Sequence, residues 1–169
     1  AAATAWAAGA KLDEIADGLA AMRPVTGRLA FRPAVNGARL IDDSYNANPG
    51  SMRAGLRALA ALPGEHWLVL GEMRELGEES ARLHAEIGEF ARQCGVQRLF
   101  AVGDDARHAV EAFGPGASWF AGVEDLVAAA RPGLGANVTL LVKGSRSNRL
   151  ERVADALATD GAAAGGRGH

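Results

Sequence analysis

One cysteine in 169 residues, Cys94, leaves no disulfide framework and no cysteine-based zinc site. It falls late in an apolar-periodic stretch with no base beside it, and reads as a core thiol. Charge of one sign is also missing. Eighteen basic and 20 acidic residues give a net charge of -2, which carries no polyanion-binding signal and excludes nucleic acid as an expected partner. No apolar run approaches the ~18 residues that a membrane span needs. The alanine-rich start has no basic n-region and meets Lys11, Asp13 and Glu14 early, so it does not read as a secretory signal. Aromatics are sparse at 5%, and Trp6, Trp67 and Trp119 read as packing residues. There is no GxGxxG after the first strand, no GxxxxGK[ST] and no HExxH. His66, His84, His108 and His169 are scattered, so no metal site is expected. Lysine is nearly absent. Lys11 and Lys143 stand against 16 arginines and an excess of alanine, as in a GC-rich coding sequence. What remains is 49% hydrophobic and 22% charged. That is the composition of one globular, cytoplasmic domain with a small addition, able to bury roughly 70% of its unfolded surface.

The spacing of apolar residues predicts alternating elements. Leu12, Ile15, Ala16 and Leu19 form one helical stripe within residues 1–22, which Pro24 ends. An extended segment over 27–34 and a strand over 39–43 follow, then a helix over 51–62. The run HWLVL (66–70) predicts a strand, 78–94 a helix, RLFAV (98–102) a strand, and 104–113 a helix capped by Asp104. Residues 117–121 predict a strand, 123–130 a helix and VTLLV (138–142) a strand. The last helix, over 148–157, starts at a capping box of Asn148 and Glu151. Residues 160–169 are Gly/Ala-rich and read as a disordered tail. Strands alternating with helices, and apolar along their whole length, predict a doubly wound α/β domain with a mostly parallel sheet. Residues 1–26 do not fit that rhythm and read as the end of another unit.

Ligands in such a sheet sit beyond the carboxyl ends of the strands, which singles out three loops. In DDSYNANPGSM (42–52), Asn48 and Pro49 suit an N-cap and a first helical position. Capping leaves two adjacent acids at a buried strand end, Tyr45 and a second Asn unexplained, and a carboxylate such as Asp43 there can accept two ribose hydroxyls. GEMRELGEES (71–80) reads equally well as a solvated charged loop or as a functional one. LVKGSRSN (141–148) offers two cations, hydroxyls and free backbone N–H groups, which suits an anion; a capped surface loop is the lesser alternative.

DDSYNANPGSM, GEMRELG and LVKGSR, in this order and at these separations, resemble the C-terminal domain of the Mur ligases. The resemblance runs from residue 1 to about 158. The YNAN form points within that family to the member that joins D-alanyl-D-alanine to UDP-N-acetylmuramoyl-tripeptide. It implies a Rossmann-like C-terminal domain over 28–158. Residues 1–27 would then be a helical remnant of the central ATPase domain with its hinge, and 159–169 the tail. The central domain's GTNGKT-like P-loop, magnesium ligands and modified lysine, and the domain that grips the UDP-sugar, are not in this sequence, so a piece of the enzyme is expected. The implied reaction passes through an acyl phosphate, formed when the tripeptide carboxylate attacks the γ-phosphate of ATP and consumed by the dipeptide amine. By the resemblance, Arg28 reaches the ATP phosphates, Asp43 binds the ribose, and Tyr45, Asn46 and Asn48 lie near the nucleotide or dipeptide. Lys143, Ser145 and Arg146 face the acyl phosphate and the dipeptide carboxylate, and the missing central domain supplies the Mg2+ site. A stand-alone nucleotide- or anion-binding module and a purely structural domain are the competing readings.

Overall fold

The computed structural model describes residues 6–14 and 27–159. Five of the described strands run parallel to their neighbours. β2 (Arg39–Asp43), β6 (Val138–Lys143), β3 (Glu65–Gly71), β4 (Val96–Val102) and β5 (Ala117–Phe120) lie side by side in that order. β1 (Ala30–Pro33) adds an antiparallel edge against β2. Continuous burial of β3 and β6 follows from their central place, with helices on both faces. α1 (Pro49–Ala60), α2 (Ser80–Gln93) and α3 (Ala106–Phe113) cover one face, through Met52, Leu56, Leu59, Ile87, Ala91 and Phe113. α4 (Val123–Ala130) and α5 (Glu151–Leu157) cover the other, through Leu126, Ala130, Val153 and Leu157. The chain leaves β2, passes over β6 to β3, steps outward to β5 and returns across the opposite face to β6. The doubly wound α/β class read from the sequence is the class observed.

Three expectations change. The helix expected over 1–22 is broken where it can be described: Gly9 takes φ +91° with its N–H on the Trp6 carbonyl. The backbone turns helical again only at 12–14, where Glu14 accepts from the Lys11 N–H at 2.9 Å. Ile15, Ala16 and Leu19 of the stripe lie outside the described residues, as does the tail beyond 159. Asp104 is not a side-chain cap. α3 begins at Ala106, and the Asp104 backbone carbonyl accepts from Arg107. Asn148 does not cap α5, which starts at Glu151 after a 3₁₀ turn over Arg146–Asn148 and a left-handed Arg149. The Asn148 amide is spent elsewhere, on the loops described next.

Candidate functional site

Strand alternation sends neighbouring side chains to opposite faces, and this separates the paired acids. Asp42 shares a face with Leu40 and is fully buried. Its Oδ1 accepts from the Ser44 hydroxyl at 2.6 Å, and Arg32 of the edge strand stands 3.7 Å from its Oδ2, held in turn by Asp155 of α5. Asp42 is therefore a strut. Asp43 shares the Ile41 face and reaches the rim under α1. Its Oδ1 accepts from the Leu29 N–H at 3.3 Å and its Oδ2 from Lys143 Nζ at 2.6 Å.

Lys143 is at the end of β6, in register with Asp43 on one side and Leu70 on the other. Its ammonium bonds Asp43 and, at 2.9 Å, the Asn46 carbonyl, and its side chain is only 3% exposed. The resemblance implies that it faces the acyl phosphate; in this structure both of its hydrogen-bond acceptors belong to this chain.

The lead-in segment folds against the first loop. Tyr45 N–H donates to the Gly27 carbonyl at 2.9 Å, and Gly27 (φ +75°) and Leu29 (φ 52°) both adopt left-handed backbone. A non-glycine residue at positive φ is uncommon enough to need support from its surroundings; the Asp43 bond to Leu29 supplies it. Between these two residues Arg28 lays its guanidinium 4.2 Å from the Tyr45 ring centre, and Arg146 of the third loop approaches the same ring at 5.4 Å. One tyrosine thus gathers a cation from each neighbouring segment.

Asn48 does what its position suggested. Its Oδ1 accepts from Ser51 N–H at 2.8 Å while the Ser51 hydroxyl accepts from Asn48 N–H, a capping box with Pro49 at the first helical position. Replacing Asn48 with Ala is expected to cost about 1 kcal/mol of domain stability, measurable as a shift in the denaturant midpoint at unchanged slope; no shift would leave Asn48 to ligand contact alone.

The second and third loops are stitched together. Gly71 ends β3 and Gly144 follows β6, and they touch: a Cβ on Gly144 would meet Gly71 Cα at 2.7 Å. Ser145 N–H donates to the Glu72 carbonyl at 3.2 Å, the Ser145 hydroxyl accepts from Arg74 N–H at 2.9 Å, and the Asn148 amide donates to the carbonyls of Glu72 and Ser145. The second loop also rests on buried His84 of α2. His84 Nε2 accepts from Met73 N–H at 2.8 Å, so its Nδ1 carries the proton and donates to the Ser80 carbonyl. The Ser80 hydroxyl donates to Asp105.

Two cavities open on this rim. One, of about 200 Å³, is lined by Arg28, Asp43, Tyr45, Asn46, Asn48 and Lys143 among others. The other is a cleft of about 920 Å³ between the three loops. The structure brings all the expected site residues to these two spaces: Arg28, Asp43 and Lys143 to the smaller, Ser145 and Arg146 to the larger, and Tyr45, Asn46 and Asn48 to both. Arg74 and Glu75 also line the cleft. Only the two flanking glycines set them apart from a solvated loop in the sequence; Glu75 takes φ 64°. Burial pushes the Cys94 thiol up from its ordinary value, against a smaller opposing pull from Arg57, and it stands apart from the rim as a structural thiol. No group of three or more His, Cys, Asp or Glu among the described residues could hold a metal ion.

The model of the "Mur ligase, glutamate ligase domain" family matches residues 27–146. The chain belongs to the Mur ligase family. The match starts at the glycine that receives the Tyr45 N–H and ends in the third loop. The UDP-N-acetylmuramoyl-tripeptide–D-alanyl-D-alanine ligase of Escherichia coli (strain K12) is 40% identical over 163 residues, covering 95% of this chain and 36% of that enzyme. The enzyme of the same name from Mycobacterium tuberculosis (strain CDC 1551 / Oshkosh) is 40% identical over 190 residues, with the same coverage of 95% and 36%. Among solved structures, MurF ligase from Thermotoga maritima in complex with ADP superposes with a TM-score of 0.80 at 26% identity, over 91% of this chain and 35% of that one. A MurF from Acinetobacter baumannii gives 0.77 at 30% identity, over 90% and 34%. The chain spans about a third of the length of these Mur ligases. Among the described residues no helix is long and apolar enough to cross a membrane.

Proposed function

We propose that residues 28–158 form the C-terminal, nucleotide-closing domain of a cytoplasmic ATP-dependent ligase that joins D-alanyl-D-alanine to UDP-N-acetylmuramoyl-tripeptide in peptidoglycan precursor synthesis. Residues 1–27 would be the last part of its central domain and the hinge. The observation that carries the reading is the meeting of three motif loops on one rim, at the ends of the adjacent strands β2, β6 and β3. The relatives' names and the ADP bound to the Thermotoga maritima neighbour support it.

In this reading the tripeptide carboxylate attacks the γ-phosphate of ATP and ADP leaves. The dipeptide amine then attacks the acyl carbon and phosphate leaves. Phosphoryl transfer of this kind depends on positioning and on cations at the developing charge. Asp43 accepts ribose hydroxyls. A carboxylate has about four lone-pair sites; Leu29 and Lys143 occupy one on each oxygen, which leaves one on each for a vicinal diol. Arg28, stacked on Tyr45, swings to the phosphates when the domains close. Asn46 and Asn48 each spend Oδ1 on backbone and offer Nδ2 to the nucleotide or dipeptide. Arg146 takes the dipeptide carboxylate as a fork, and the Ser145 hydroxyl, already accepting from Arg74, keeps its proton to donate. Magnesium accompanying ATP is assigned to residues outside this chain, and no step here is routed through it.

The test is a product assay on the complete protein with ATP, the tripeptide precursor and D-alanyl-D-alanine. Equimolar ADP, phosphate and pentapeptide precursor are expected, and none when the dipeptide is withheld. This chain alone, having no GxxxxGK[ST] loop, is expected to release no phosphate. Nucleotide binding by the complete protein without ligation would turn the reading to a binding module.

A further inference from the structure

The sheet end holds a buried charge whose place the ligase reading does not explain. Lys143 is one of two lysines among 18 basic residues. Its side chain is 3% exposed and that of its partner Asp43 15%. Helix α1 packs over its stem: a Cβ on Gly55, in the helix interior, would stand in ordinary contact, 3.7 Å, with Lys143 Cδ and closer, 3.3 Å, to Leu141 Cδ2. At its tip, the ammonium donates to two acceptors on different backbone units, Asp43 Oδ2 at 2.6 Å and the Asn46 carbonyl at 2.9 Å. Asp43 in turn holds Leu29 N–H at 3.3 Å, the residue next to Arg28.

We propose that Lys143 is a positioning residue for nucleotide binding: it fixes the Asp43 carboxylate and the 44–48 loop, and through Asp43 the left-handed backbone that aims Arg28, and does not meet the reacting phosphoryl group. The residue type fits the task. A compact ammonium with three rotatable donors can bridge a carboxylate and a carbonyl at different angles, which a planar guanidinium fork cannot do from the same stem. The chain runs from β6 to β2 to the lead-in segment, so three separate pieces of backbone take their relative places from one side chain.

The inference rests on the ligase reading, and ligation by the wild-type complete enzyme is established first; its absence there would count against that reading and not against the positioning role. In that enzyme, Lys143→Met is expected to raise the KM for ATP, and its Kd by calorimetry, at least 10-fold. The KM for D-alanyl-D-alanine should stay within about 2-fold, and any fall in kcat at saturating ATP, through a less well aimed Arg28, should be smaller than the rise in KM for ATP. Asp43→Asn should give the same split, and the double variant should bind ATP no more than about 2-fold worse than the poorer single one, because both changes remove one linkage. If Lys143→Met lacks a cooperative melting transition, Lys143→Arg carries the test, with the same rise in KM for ATP despite the retained charge. A kcat reduced 10²-fold or more with ATP affinity unchanged, in either variant, would place Lys143 at the phosphoryl group and overturn the proposal. So would fully additive losses in the double variant.

Discussion

In the complete ligase, Asp43→Ala is expected to raise the KM for ATP by about 10²-fold or more, and to leave the KM values for the tripeptide precursor and the dipeptide within a few-fold. A hydrogen bond to a charged group contributes about 1.5–3 kcal/mol. Two ribose hydroxyls on one carboxylate therefore reach ~3 kcal/mol at the low end, and each ~1.4 kcal/mol is a factor of ten. The ribose is remote from the bond that breaks, so its contacts act alike on ground and transition states and appear in KM. A part of the effect falls on kcat if ribose contact also drives domain closure. Removing the carboxylate also strands the Lys143 ammonium and releases Leu29 N–H. The variant's melting temperature must be measured beside its kinetics, and a cooperative transition is the condition for reading the KM. An equal rise for all three substrates would mean that Asp43 only braces the loop, like Asp42 beside it.

The fold was legible because its signals are local and repeated. Apolar runs such as HWLVL and VTLLV are buried on both faces, as parallel central strands must be, and their order with the helices implies the class. Strand order was not legible. Nothing in VTLLV says that it inserts between β2 and β3, yet that insertion places Lys143 beside Asp43, 100 positions away in the chain. The capping misreadings have a shared cause. Asp104 and Asn148 are good caps by residue type, but at each position tertiary contact won. The Asn148 amide is worth more as a tie between two loops than as the cap of a seven-residue helix.

The site was legible as a set of loops and less so as a set of roles. Asp43 could be named from its motif and Arg28 only through the resemblance, and both lie on the smaller cavity. Lys143 could be singled out as a lysine in an arginine-rich chain, but a charge at a strand end has two destinations, the ligand or a neighbouring carboxylate. Only register decides between them: with Asp43 opposite Lys143 in a parallel pair, the two side chains emerge on the same face. Ser145 shows the same ambiguity, since its hydroxyl accepts from Arg74 N–H and is buried. Glycine is where sequence said least. Gly71 and Gly144 look like flexible loop residues, whereas they are the contact at which two strand ends meet backbone to backbone.

Gly88→Ala is expected to destabilise this chain by about 3 kcal/mol, the upper part of the usual range for overpacking, through a glycine that no motif marks. Gly88 lies inside α2, where alanine should favour the helix by up to ~1 kcal/mol. Its backbone instead sits against α3: a Cβ would fall 2.1 Å from the Ala109 carbonyl oxygen and 2.8 Å from its carbon. Neither atom can rotate away, since both belong to helix backbone. The helices must part by roughly 1 Å, and a gap of that size forfeits a quarter to a half of each contact's dispersion energy. The contacts at risk are among Ile87, Ala91, Ala106, Ala109 and Phe113, all buried in the core on this face. The loss should lower the melting temperature by on the order of 10 °C for a domain of this size. Gly50→Ala is the control. Gly50 is in the first turn of α1, exposed, and a Cβ there would approach only the Asn48 side chain, at 3.4 Å. It should melt at or slightly above the wild-type temperature. The same chemical change would then carry opposite signs at two helical glycines, decided by what stands opposite each. A Gly88→Ala protein melting within about 2 °C of wild type would show that α2 and α3 can separate at little cost and that this crossing is not a rigid part of the domain.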